Sequence, residues 1–320
     1  MGTMTFGSQV PSDPAHDMLD RALDAGITLI DTAEMYASPP TTETYGRSEE
    51  IVGTWLSKRS RDRVAIATKL VGPVDGMFPK VGAHIRGGMA TIDRHHITRA
   101  LEGSLRRLRT DYIDLYQTHW PERSVPAEVQ LEAFGRLIES GKVRYFGTSN
   151  ETSWSLMHLI AASERNRLPR PVSAQNLLNL LQRHYERGLA EVCRQEGIGF
   201  IAFSPLAMGV LSGKYSGGAL PAGSRLKEYD RYRRAYGDER LIECASRYAS
   251  LAREIGIEPA TMALAWVRNH PDVTSVISSC TRTEQLEKLV ASAEVHLSSE
   301  TLTRIEDIRT EFEPPWTRVG

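Results

Sequence analysis

Polar and apolar positions along the chain change period in a regular way. Short runs rich in β-branched and aromatic residues, about four to seven long, each give way to a longer stretch. There the apolar residues recur at the three-and-four spacing of one helix face. Residues 26–31 (GITLID) read as a strand and 48–58 (SEEIVGTWLSK) as the helix after it. The pattern repeats with strand 63–69 and helix 97–108, then strand 112–117 and helix 126–140, the latter stopped by Gly141. Strand 143–147 precedes a helix starting near Thr152, and 172–175 precedes one over about 185–196. Residues 199–203 form the next strand, and 273–277 the last, before a helix over 283–293.

With a short strand at residues 2–6, the count reaches eight. Consecutive parallel strands need crossover helices, and the alternation supplies them without a composition break. It therefore predicts an α/β fold, a single (β/α)8 TIM barrel with residues 1–320 as one domain. Residues 71–93 and 204–238 interrupt the alternation. Each follows the C-terminal end of a strand, so both are expected to be long loops on the face where barrel active sites are built.

Composition narrows the function. The 320 residues carry 39 basic against 40 acidic side chains, a net charge of −1. Nucleic-acid and anionic-membrane binders concentrate positive charge, so neither class is expected. No apolar run approaches the ~20 residues of a membrane-spanning helix. The first stretch, MGTMTFGSQVPSDP, lacks the basic and apolar regions of a signal peptide. Cys193, Cys244 and Cys280 are odd in number and widely spaced, with no CxxC, which suits thiols in a reducing compartment. A cytoplasmic enzyme is the expectation. His84, His95 and His96 lack metal-ligand spacing and paired carboxylates, so no metal site is expected.

In a barrel, polar side chains ending consecutive strands converge on one mouth. Asp31 ends one strand and Lys69 the next; the strand after that runs into His119, and Tyr36 follows Asp31 in DTAEMY. Taken singly, Asp31 reads as a turn cap, Tyr36 as a surface aromatic and His119 as a satisfied histidine. Lys69, closing the apolar run VAIAT, needs a partner in any reading. Taken together they suggest proton donation to a carbonyl oxygen. A free tyrosine has a pKa near ~10, and an ammonium within a few Å lowers it. A carboxylate would hold the lysine charged, and a neutral histidine could orient the carbonyl. Hydride is the matching nucleophile. Met35, Trp120 and residues from 71–93 are expected to line the mouth and favour an apolar substrate. No GxGxxG follows a strand and no GxxxxGK[ST] occurs, which argues against a Rossmann site and an NTPase.

The segments GITLIDTAEMY, IATKL and DLYQTHWP, in this order, resemble the aldo-keto reductase superfamily. The chain looks most like its bacterial Tas-like reductases and potassium-channel β subunits, from Gly2 to about Val295. The resemblance implies NADPH-dependent reduction of a small-molecule aldehyde or ketone, with NADH as the alternative cofactor. It implies Tyr36 as general acid, Asp31 and Lys69 tuning it, and His119 placing the carbonyl. It also implies cofactor contacts from Thr3, from Ser149 and Asn150 (GTSN) with Gln175 at the carboxamide, and from Phe203 stacked on the nicotinamide. Ser204, Pro205, Leu206, Gly209, Ser212 and Lys214 of SPLAMGVLSGKY, with Arg225, would cover the pyrophosphate. Thr281, Arg282 and Gln285 would meet the 2′-phosphate and adenosine.

The chain also departs from the family pattern. Ser279 stands at the usual glycine of the last cofactor segment, and Lys288-Leu289 at its Glu-Asn pair. The chain starts at MGTMTFG, so the family's N-terminal hairpin, which plugs the barrel floor in relatives, is expected to be absent, which predicts a barrel that is less stable or shielded by a partner. A second tyrosine, Tyr45, ends the insertion ASPPTTETYG, but Tyr36 keeps the five-residue step from Asp31. Two other readings stand beside the reductase. One is an NADP(H)-binding redox-sensing regulatory subunit with very slow turnover. The other, a barrel lyase or isomerase using Lys69 for a Schiff base, would leave Gln175 and residues 204–215 unexplained.

Overall fold

The alternation of strands and helices is present in space. The computed structural model describes residues 1–73, 79–88 and 90–313. Its strands are β1 (Leu29–Asp31), β2 (Ala65–Leu70), β3 (Ile113–Thr118), β4 (Val143–Ser149), β5 (Ser173–Leu177), β6 (Gly199–Phe203) and β7 (Val273–Ile277). They follow one another in sequence order in a single sheet, and the pairs from β1 to β5 are parallel. Sequential parallel strands joined by helices are the order of an α/β barrel of TIM type.

The eighth strand expected at residues 2–6 shrinks to single bridges, Gly2 with Asp31 and Phe6 with Val10. The reason lies in the backbone donors: Phe6 N–H bonds Thr3 O and Val10 N–H bonds Thr5 O, so a turn takes what a ladder would need. The helix expected over 185–196 is split into a 3₁₀ turn, His184–Glu186, and a helix, Leu189–Glu196. Arg187 leaves helical space between them, at φ −93°, ψ 57°. Neither long interruption is an open loop. Residues 71–93 contain the helix Pro79–His84 and the turn Ile85–Gly88, while 74–78 and 89 lie outside the described residues. Residues 204–238 fold into two 3₁₀ turns and the helices Arg225–Glu228 and Asp230–Tyr236.

Two compact units divide the chain. The first comprises Met1–Asn176, Gly188–Ile201 and Ser279–Leu286. In it the helix Ser12–Asp24, which the strand-led reading passed over, buries Ala15, Met18, Leu19 and Ala22 on one face. Helix Arg47–Leu56 packs so tightly on helix Arg94–Leu108 that a Cβ on Gly53 would meet Arg107 O at 2.0 Å. Polar groups between them are paired: Glu49 accepts from Arg107 Nε at 2.7 Å and from the Thr68 hydroxyl of β2 at 2.6 Å. Thr68 therefore faces the helices, and strand alternation turns Lys69 the other way.

The second unit comprises Leu177–Arg187, Ala202–Ser278 and Glu287–Gly320. Helices Glu239–Glu254, Pro259–Arg268 and Ser299–Phe312 belong to it, and none of the three entered the strand-led reading. Asp238 and Ser298 cap two of them, accepting from Leu241 N and Thr301 N. A cavity of about 270 Å³ here is rimmed by Arg183, Arg187, Arg240 and Arg309. Arg183, Arg187 and Arg309 are paired with Glu186, Glu313 and Glu306, and Arg240 donates to the Phe312 carbonyl.

Candidate active site

Strand register within the first unit gathers the expected groups. Asp31 is opposite Ala67, Lys69 opposite Gln117, Gln117 opposite Gly147 and Ser149 opposite Gln175. The C-terminal ends of five strands thus present their polar side chains together. Thr3, fully buried, fixes the Asp31 backbone: its N–H and hydroxyl both donate to Asp31 O, at 2.9 and 3.1 Å.

Lys69 is 1 % exposed, and its ammonium donates to Asp31 Oδ1 at 2.6 Å and to Thr32 O at 2.8 Å. Burial by itself would lower its pKa. The Asp31 carboxylate and a hydrogen bond with the Tyr36 phenol outweigh burial, so the pKa is raised and the ammonium stays charged. The ammonium also lies 5.2 Å from the centroid of the Tyr36 ring. Gln175 Nε2 donates to the other carboxylate oxygen, Asp31 Oδ2, at 2.8 Å. Asp31 is thus held at both oxygens.

His119 meets the Tyr36 ring edge-on at 5.7 Å between centroids and stacks on Trp120 at 4.2 Å. Burial, helped by the Lys69 charge, drives its pKa well below the usual histidine range, so the ring is neutral. Its Nδ1 is buried without a hydrogen-bond partner among the described residues, as is Gln117 Nε2. The backbone is pinned on both sides, by Leu70 O accepting from His119 N–H at 3.1 Å and by Asn150 Nδ2 donating to His119 O at 2.9 Å.

The two tyrosines have different surroundings. Tyr45 donates its phenol to Glu34 and its ring lies 5.6 Å from the Arg107 guanidinium. Burial and the Glu34 carboxylate raise its pKa. Tyr36 has the opposite environment, beside an ammonium. Met35 and Trp120, expected at the mouth, share an apolar cluster with Val71, Val81, Ile85 and Ala90, against which Tyr36 also packs.

Of the residues that the resemblance linked to a cofactor, Ser149, Asn150 and Gln175 are interconnected. Ser149 Oγ donates to Gln175 O at 2.8 Å and Asn150 Nδ2 reaches Ser149 Oγ at 3.2 Å. Thr281 donates to Gln285 Oε1 from its N–H and hydroxyl, at 2.8 and 3.1 Å, and Arg282 beside them is exposed. In the second unit Phe203 ends β6, half-buried, and Ser204, Pro205 and Leu206 follow it. Gly209 has φ +93°, and a Cβ there would lie 2.8 Å from the Lys214 ammonium. Arg225 reaches Met208 Sδ at 3.3 Å, and Ser212 Oγ closes the turn on Gly209 O at 2.7 Å. Both cations therefore converge on one turn. Lys288 is paired instead with Glu258, at 3.3 Å.

The sequence reading missed three groups. Glu34, 2 % exposed, accepts from Tyr45, from Arg86 and from Val71 N–H. Its signal was present, a charged residue inside DTAEMY between two candidate groups. Nothing local marked Arg86 as its partner. Glu151, beside Asn150, is buried, and burial pushes its pKa up to about 7. Among the described residues no cluster of three or more His, Cys, Asp or Glu is placed to hold a metal. His84 and His95 instead lie edge-on to Tyr45 and His96, and His96 bonds Asp93.

Comparison with known proteins adds an independent line. The model of the Aldo/keto reductase family matches residues 1–310. Protein tas of Escherichia coli K12 is 41 % identical, covering 98 % of this chain and 94 % of its own. The uncharacterized oxidoreductase YrpG of Bacillus subtilis is 36 % identical, over 96 % and 90 % of the two chains. A probable voltage-gated potassium channel subunit beta of Arabidopsis thaliana is 32 % identical, over 91 % and 85 %.

Proposed function

The chain belongs to the aldo/keto reductase family and is an oxidoreductase, and from that premise we propose that it reduces an aldehyde or ketone to the alcohol. Tyr36 is the general acid. The observation that carries this reading is the buried Asp31–Lys69 pair beside the Tyr36 phenol, with a neutral His119 opposite. Lys69 favours the phenolate and so makes the phenol a stronger acid, each pKa unit being worth about 1.4 kcal/mol. Asp31 keeps Lys69 charged and in place, and Gln175 keeps Asp31 in place. His119 directs the carbonyl oxygen toward the phenol, its stacking on Trp120 fixing the ring plane. As the carbonyl carbon accepts hydride, the oxygen takes the Tyr36 proton, and Lys69 stabilises the phenolate left behind.

A bound reduced nicotinamide supplies that hydride. The residues present fit such a group. Ser149, Asn150 and Gln175 offer amide-matching donors and acceptors next to the acid site. Taken by itself, the second unit carries an aromatic side chain at Phe203, and its Gly209 turn with Lys214 and Arg225 is a glycine-lined, cationic cradle that suits phosphates. We assign Arg282, with Thr281 and Gln285, to a 2′-phosphate and so favour NADPH over NADH. The family match runs unbroken over residues 1–310, which supports reading the chain as one domain. Its buried cysteines suit a reducing cytoplasm.

The test is NADPH oxidation with a nitrobenzaldehyde, followed at 340 nm, for the parent and Tyr36→Phe. Turnover should fall by about two to four orders of magnitude without the phenol, the usual worth of a general acid. Full activity of Tyr36→Phe would overturn the assignment. A second reading, a nucleotide-bound regulatory subunit, draws on Trp154, 72 % exposed and stacked on His158 beside partly exposed Met157. Such a face suits a partner. NADPH retained through purification with negligible aldehyde turnover would favour it.

A further inference from the structure

Glu34 and Arg86 lie outside the acid site yet are almost completely buried, at 3 % and 7 % side-chain exposure. They come from different segments. Glu34 follows β1, tied to β2 through its N–H on Lys69 O at 3.0 Å, and stands two residues before Tyr36. Arg86 belongs to residues 79–88, which no strand ladder holds. The Arg86 guanidinium donates to Glu34 Oε1 with one arm and to Val71 O, at 2.9 Å, with the other. Val71 N–H donates back to Glu34 Oε2 at 2.9 Å, so carboxylate, guanidinium and the backbone of one residue close a ring.

The backbone at this point needs such an anchor. Arg86 is left-handed, at φ 48°, ψ 32°, and Gly87 continues at φ 70°. An L-residue in that region is held there by its surroundings rather than by its own preference. Adjacent Ile85, 1 % exposed, is carried into the apolar cluster of Met35, Val71, Val81 and Ala90, on which Tyr36 and Trp120 pack. A buried ion pair adds little net stability, but losing one partner strands the other, so the pair enforces one arrangement.

We propose that Glu34 and Arg86 are positioning residues forming a buried latch. The latch fixes residues 79–88, and with them the Val81 and Ile85 side chains as an apolar wall beside Tyr36, and so selects aromatic and other bulky apolar carbonyls over small ones. The selectivity rests on the carbonyl-reduction reading; the latch itself does not. A wall of fixed shape discriminates through contact with the non-reacting part of the substrate, where each lost methylene contact is worth about 10- to 200-fold.

The test compares the parent, Arg86→Met, Arg86→Lys and the double variant Glu34→Gln/Arg86→Met. The double variant removes both charges and covers the case in which Arg86→Met fails to fold. Two readouts are taken: the ratio of kcat/KM for 4-nitrobenzaldehyde over propanal, and backbone hydrogen exchange of residues 79–88. In Arg86→Met or the double variant the ratio should fall at least tenfold, mainly through KM for the aromatic aldehyde. Exchange over 79–88 should rise at least tenfold while β2 and β3 stay unchanged. Arg86→Lys should recover part of both. An unchanged ratio in a folded variant, or equal losses for both aldehydes, would overturn the selectivity. Unchanged exchange would overturn the latch. A parent that reduces neither aldehyde would instead overturn the carbonyl-reduction reading, and with it the selectivity, while exchange still decides the latch.

Discussion

Lys69→Met isolates the charge arrangement on which the acid site depends. In the parent, Lys69 Nζ stands 2.6 Å from Asp31 Oδ1, with side chains 1 % and 3 % exposed. At an effective dielectric constant of about 20, unit charges at that separation attract by about 6 kcal/mol. Removing both ions from water costs several kcal/mol each, so the pair contributes little net stability. Removing only the ammonium is different, because Asp31 stays buried with its charge uncompensated, a loss of about 3–5 kcal/mol. Gln175 still donates to Asp31 Oδ2, which argues for the lower end. Adding Asp31→Asn should recover most of that stability but none of the aldehyde turnover.

Urea unfolding at pH 7, read by tryptophan fluorescence, measures the first effect, and NADPH oxidation the second. The pH dependence has a definite sign. The Lys69 pKa is raised on folding, so its contribution is complete below about pH 10 and is lost only as pH rises through the folded value. A Lys69→Met protein as stable as the parent at pH 7 would refute the reasoning. So would a double variant no more stable than the single.

Two further predictions concern the first unit. Burial raises the Glu151 pKa from 4.5 to about 7, so its ionised form weakens the folded state as pH rises through that window. Glu151→Gln should therefore gain up to about 3 kcal/mol over the parent at pH 8 and almost nothing at pH 4, as urea midpoints at the two pH values will show. An alanine Cβ at position 53 would lie 2.0 Å from Arg107 O and 2.7 Å from Leu108 C, both backbone atoms that cannot swing aside. Gly53→Ala should cost at least about 1–3 kcal/mol and lower the thermal midpoint, although alanine is otherwise the better helix former.

Much of the site was legible because it sits on the most regular part of the chain. Asp31 and Lys69 end strands whose β-branched runs mark them in one dimension, and barrel order places consecutive strand ends side by side. The gathering of Asp31, Lys69 and His119 thus followed from period and order. Outside that regularity the signal failed. The helices Glu239–Glu254 and Pro259–Arg268 come only after the long interruption that follows β6, and Ser299–Phe312 only after the helix that follows β7, so a reading paced by strands passed over them. Residues 2–6 carry strand-like composition, but their N–H groups close a turn instead.

The α/β alternation, the parallel order and the residue types at the strand ends were therefore readable along the chain. Those depend on periodicity and on local hydrogen-bonding demand. Folding in three dimensions was needed to show that Tyr36 lies beside the ammonium, that Gln175 holds Asp31 across 144 residues, and that Glu34 meets Arg86 across 52. These are pairings of single buried polar groups. Each is enforced by the high cost of leaving a partner unsatisfied in a low-dielectric interior, and such a pairing, joining segments far apart along the chain, leaves no period in the sequence to read.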